Sequence, residues 1–183
     1  VESLKETFEI DYDPQLKVKP DLYVIAISSN KYKQSEYNLS YAVNDGRSIA
    51  NLFSSLSNNY SNIYTDTIFN EPARKENILR IKSDLLKTKI DDHVILFLSG
   101  NGLLDYDMDF YYATNDIDFY NPAERGLSYD ALENILDSIP ARNKLLMIDA
   151  CHSGEVDKSE ITIQDSIIFS DGTKKGLKTY IYK

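Results

Sequence analysis

The sequence has one cysteine, two histidines and fewer cations than anions: 20 Lys and Arg stand against 29 Asp and Glu in 183 residues, a formal net charge of −9. One cysteine excludes an internal disulfide and says nothing firm about redox compartment. One cysteine with His93 and His152 also leaves too few ligands for a structural zinc site, so no metal site is expected from these residues. The acidic balance argues against nucleic acid as a partner, because phosphate binding needs a basic face, and it suits a basic peptide substrate. No apolar run approaches the length that spans a bilayer, so no membrane partner is expected. Residues 1–20 are polar and acidic without the apolar stretch of a secretory signal, which favours a cytoplasmic location. No glycine-rich phosphate loop follows Ile27, which counts against a flavodoxin-type small-molecule domain. Internal repeats and low-complexity tracts are absent too.

What is present is an ordinary globular composition, 42% apolar and 27% charged, enough for one domain with a real core. Residues 1–20, with Pro14 and Pro20, read as an arm or linker. Asp21–Ser29 is apolar on both faces and reads as a central strand. Leu39–Leu56 has helical spacing, Asn62–Asn70 alternates as a second strand, and Arg74–Thr88 places Ile78, Ile81 and Leu85 on one helical face. Val94–Leu98 is a third strand. Asp105–Asp116 is acidic with interleaved aromatics, as in a hairpin or ordered loop. Tyr129–Ile139 is a helix with Ser128 at its N-cap, and Leu145–Ile148 is a fourth strand. This alternation predicts a parallel sheet covered by helices on both faces. After Gly154 the pattern thins to a linker, with one more strand predicted at Thr179–Tyr182.

Two stretches carry candidate chemistry. Lys144–Gly154 is an apolar strand that leads to Cys151 and the small residues Ser153 and Gly154; His93–Gly102 leads from an apolar strand into Ser99, Gly100, Asn101 and Gly102. Both predict loops at the C-terminal ends of strands, where open α/β sheets keep their chemistry. A lone cysteine there is equally a small apolar filler. Asp149, however, is an acid inside an apolar strand and calls for a partner or a task.

The run from Asp149 to Gly154 resembles the nucleophile motif of caspase-like cysteine peptidases, the metacaspase and bacterial branch in particular. The run from Ser99 to Gly102 resembles their Ser-Gly-His-Gly motif. The pattern places the histidine about 50 residues before the cysteine, which is the separation between positions 101 and 151. The resemblance covers about residues 21–154 and implies a caspase-like three-layer α/β/α sandwich with a mostly parallel sheet, in its large-subunit portion. It implies Cys151 as nucleophile, position 101 as the acid/base and the backbone N–H of Gly102 as an oxyanion donor.

Position 101 is Asn, and an amide does not titrate near neutral pH. His152 adjoins the nucleophile in an extended segment, and His93 lies at the far end of its strand, so neither replaces the missing imidazole. The chain as written is therefore expected to be inactive. Two origins fit: a natural pseudo-peptidase that binds or scaffolds, or a deliberate inactivation, which the intact remainder of the motif favours.

In the metacaspase branch the substrate pocket is acidic and takes Arg or Lys at P1. Asp45, Asp149 and Ser99 match those pocket positions, although an exposed helix carboxylate is the plain reading of Asp45 alone. The branch also implies calcium; a solvated acidic loop at Asp105, Asp107, Asp109, Asp116 and Asp118 is the preferred reading, with no cofactor. The resemblance further implies a small-subunit partner from the same precursor, joined through residues 155–183. It also implies self-processing after Lys174, Lys175, Lys178 or Lys183.

Overall fold

The computed structural model describes residues 19–150 in full, together with the backbone of residues 151–152, 166–168, 174–176 and 178–182. Most of the expected arm at 1–20, the turn at Ser153–Gly154, Lys183 and the rest of the 155–183 segment lie outside the described residues.

The apolar run after Asp21 forms β1 (Leu22–Ser28), buried along nearly its whole length because it has a parallel neighbour on each edge. Those neighbours are β2 (Ile63–Phe69) and β3 (His93–Leu104). On the other edge of β3 lies β6 (Asn143–His152), also parallel. Beyond β6, β9 (Lys178–Tyr182) pairs antiparallel, where the sequence predicts a last strand. The far end of β3 turns back through β4 (Phe110–Tyr112) to β5 (Leu127–Ser128), both antiparallel. Two short strands, β7 (Ser166–Ile168) and β8 (Lys174–Gly176), form a separate hairpin that contains Lys174 and Lys175.

Helices cover both faces. On one side α1 (Ala42–Ser54) packs Ala50 and Phe53 over Leu22, Val24, Ala26, Ile95 and Phe97. On the other, α2 (Lys75–Leu85) and α4 (Tyr129–Asp137) bring Ile78, Ile81, Leu85, Leu132, Ile135 and Leu136 onto Ile25, Ile27, Leu96, Leu98, Leu146 and Ile148. Each such fully buried aliphatic side chain stabilises the fold by about 1.5–3 kcal/mol. The result is the expected three-layer α/β/α sandwich. The short α3 (Pro122–Arg125), by contrast, has no counterpart in the sequence reading.

Element ends differ from expectation for identifiable reasons. The first helix starts at Ala42 rather than Leu39, and the Leu39 N–H is bonded to the carbonyl of Asn30 (2.8 Å). The Asn30 side-chain oxygen then accepts the N–H of Val43 (2.9 Å), satisfying an orphan donor of the first turn from outside the helix. Ser128 caps α4 as expected, its Oγ accepting the N–H of Ala131 (3.3 Å). The acidic stretch begins as a hairpin turn: the Asp105 carboxylate accepts the N–H groups of Asp107 and Asp109 (both 3.0 Å). Asp116 instead pairs with Arg125 (3.3 Å).

Candidate active site

The two predicted loops are strand. Ser99, Gly100, Asn101 and Gly102 continue β3, and Cys151 and His152 continue β6. Parallel pairing holds to the end: Ser99 is the register partner of Asp149, Asn101 of Cys151, and Gly102 of His152. The ladder thus brings together the two motif positions that are 50 residues apart in sequence.

On the other edge, β1 stops earlier. Its last rung joins Ser28 to Ser99, after which the Ser29 N–H bonds to the Ser99 carbonyl (3.1 Å). Position 101 therefore extends past β1, and residues 29–41 and 113–119 fill the space. Asn101 is only 2% exposed. Its backbone N–H donates to the Tyr32 hydroxyl (3.0 Å), its carbonyl accepts from the Ala113 N–H (2.9 Å), and its Nδ2 donates to the Tyr37 carbonyl (2.8 Å). The Tyr32 hydroxyl in turn donates to the Ser29 carbonyl (3.1 Å). Burial pushes the Tyr32 phenol up to about 12, against the opposing pull of its hydrogen bonds with Asn101. It is neutral, and so a donor, at any physiological pH.

Aromatic packing holds the surrounding segment. Phe119 stacks on Tyr37 (centroids 3.8 Å apart, 10° between planes) and meets Tyr32 edge-on at 5.2 Å. The Phe119 N–H donates to Gln34 (2.9 Å), and Asn115 Nδ2 donates to the Lys31 carbonyl (2.7 Å). Gly100 is needed between these groups. A Cβ there would lie 3.0 Å from the Tyr32 hydroxyl and 3.1 Å from the Tyr112 ring, whose own hydroxyl donates to the Ser99 carbonyl (3.0 Å). The glycine marks close approach of side chains to a strand, not a turn.

Comparison with known families matches residues 22–179 to the caspase domain. The chain belongs to the caspase-domain family. That family is one of hydrolases, the cysteine peptidases. Among solved structures, protein GSU0716 from Geobacter sulfurreducens shares the fold, with 18% identity and a TM-score of 0.56 over 74% of this chain and 52% of that one. The chain thus spans about half the length of that protein. No curated protein matches it.

Within this caspase-domain frame, two of the other predicted site residues, Ser99 and Asp149, stand on one row of the sheet. Ser28, Ser99 and Asp149 are register partners across β1, β3 and β6. Asp45 lies in the first turn of α1, beside Gly46, which packs against Ser28. His93 opens β3, with its Nδ1 3.1 Å from the Tyr60 hydroxyl. Eight residues of strand separate it from Asn101, about 25 Å. Among the described residues no group of three His, Cys, Asp or Glu side chains gathers in a way that could hold a metal ion, and no helix is long and apolar enough to cross a membrane.

Tyr32, Tyr37 and Phe119 are absent from the sequence-derived site. Tyr37 acts through its backbone carbonyl, which no residue type announces. Tyr32 carried a faint signal as an aromatic in a polar loop just after the central strand.

Proposed function

We propose that this chain is the large-subunit portion of a caspase-like cysteine endopeptidase of the metacaspase and bacterial branch, selective for Arg or Lys at P1 and lacking its acid/base. The register pairing of Asn101 with Cys151 carries this reading. In the complete reaction the Cys151 thiolate adds to the scissile carbonyl, and the oxyanion takes the Gly102 N–H. An imidazole at position 101 protonates the leaving amine as the C–N bond breaks, then takes a proton from the water that hydrolyses the thioester. The Tyr37 carbonyl, which now accepts the Asn101 amide, would hold the ring N–H of that imidazole and fix its tautomer.

Asn101 can make the same hydrogen bond but cannot exchange a proton. The chain as written therefore binds without cleaving. Asp45 and Asp149 supply the charge for a guanidinium or ammonium, with Ser99 the register partner of Asp149. Self-processing at Lys174, Lys175, Lys178 or Lys183, pairing with a small subunit, and a calcium-free mechanism belong to the same reading.

The test is Asn101→His in the full-length protein. A thiol-reactive peptide probe ending in Arg or Lys should label Cys151 after the substitution and not before, and peptides with basic P1 should be cleaved. A restored protein that stays inert overturns the reading.

A second reading has an observation in its favour. Asn101 is buried with its backbone and its Nδ2 hydrogen-bonded, as in a fold built around the amide. A pseudo-peptidase of this kind would bind basic peptides and remain inert even with His at position 101.

A further inference from the structure

We infer that the Tyr32 hydroxyl is the positioning group for residue 101, standing in for a rung of the β1–β3 ladder that β1 is too short to supply. The kinetic part of this inference rests on the peptidase reading; the structural part does not.

The need arises from the topology. Chain order places β2 on one side of β1 and β3 and β6 on the other, so the connections diverge between β1 and β3. Open α/β sheets form their crevice at such a switch point. There β1 ends at Ser28, while β3 continues to Leu104. The Asn101 N–H points to the side that β1 has vacated and would be an orphan in a buried site, which costs about 1–3 kcal/mol. Tyr32 closes the gap with one oxygen, accepting from the Asn101 N–H at 3.0 Å and donating to the Ser29 carbonyl at 3.1 Å. The last carbonyl past β1 is thereby joined to the strand that bears position 101.

The same tyrosine is itself well anchored. Its N–H donates to Asn38 Oδ1 (2.8 Å), and its ring meets Phe119 edge-on. Phe119 stacks on Tyr37, whose carbonyl holds the side chain of residue 101. Backbone and side chain of one residue are thus gripped by two tyrosines that share one phenylalanine. Tyr32 touches no reacting atom in this arrangement; it sets where residue 101 stands relative to its register partner Cys151.

Tyr32→Phe keeps the ring and removes the bridge. In the chain as written, amide hydrogen exchange at Asn101 should become about tenfold faster or more, with Leu96 and Leu98 in the same strand unchanged. Unchanged exchange at Asn101 overturns the bridge. In the full-length Asn101→His protein, Tyr32→Phe should lower kcat by about 10- to 100-fold, the usual effect of a small misplacement of a catalytic group, with KM within about twofold. An unchanged kcat, or a loss confined to KM, overturns the positioning role. Should Asn101→His be inert with either residue at position 32, the peptidase reading fails and the exchange experiment alone decides on Tyr32. If Tyr32→Phe does not fold, difluorotyrosine at position 32 serves instead. Its more acidic phenol should lose the bond to Ser29 as pH rises, and Asn101 exchange should then depart from the unmodified protein in step with that ionisation; parallel profiles overturn the bridge.

Discussion

Asn101 and Cys151 are register partners at the C-terminal ends of two parallel strands, and Asn101 is fixed on three sides by Tyr32, Tyr37 and Ala113. Its backbone position is therefore a property of the sheet and its packing, while the hold by Tyr37 runs through the side chain at 101.

Charge selectivity should lie with the row that joins Ser99 to Asp149. In an Asn101→His protein, Asp149→Ala should abolish the preference for Arg or Lys at P1, and Asp45→Ala should weaken it. Competition between peptides that differ only at P1 measures this. An unchanged preference would remove both carboxylates from the pocket.

Gly46 lets α1 approach the sheet. A Cβ at this position would collide with the Ser28 side chain and come within 2.8 Å of the Phe69 ring. Gly46→Ala should therefore destabilise the fold by about 1–3 kcal/mol through overpacking, even though alanine is the better helix former. Urea denaturation would show a lower midpoint with an unchanged slope.

Alkaline pH should unfold the protein through its buried phenols. Burial raises Tyr32 to about 12 and lifts Tyr112 well above the ordinary tyrosine range. In the unfolded chain both ionise near pH 10. The unfolded state thus gives up protons that the folded state keeps, so stability is fully present below about pH 10 and falls as pH rises toward 12. Denaturation midpoints across this range, with tyrosinate absorbance as a second signal, should show the fall. Tyr32→Phe should make it shallower; an identical slope would mean that Tyr32 does not contribute.

Ser128 caps α4, and Ser128→Ala should lower stability by about 1 kcal/mol. Ser128→Asp should restore most of it, since aspartate is as good a cap; melting curves of the two variants would separate capping from a nonspecific effect of substitution.

The alternation of apolar runs in this sequence was enough to specify the main strands and helices in chain order, the burial of β1 on both faces and the cover of helices on both sides of the sheet. These follow from local periodicity. Side chains repeat every two residues in a strand and every 3.6 in a helix, and each apolar face must find cover. The spacing of Ser99–Gly102 and Cys151, with the resemblance it carries, also singled out two positions that the sheet pairs as register partners. It did not reveal that both motifs are strand, because Gly100 reads locally as a turn residue and only the approach of Tyr32 and Tyr112 gives it another purpose. Nor did it reveal what holds position 101. Tyr32 is 69 residues away from it in the chain, and Tyr37 contributes a backbone carbonyl that any residue would possess. Both contacts exist because β1 ends before β3 does, a mismatch in strand length that appears only once the two strands are laid side by side.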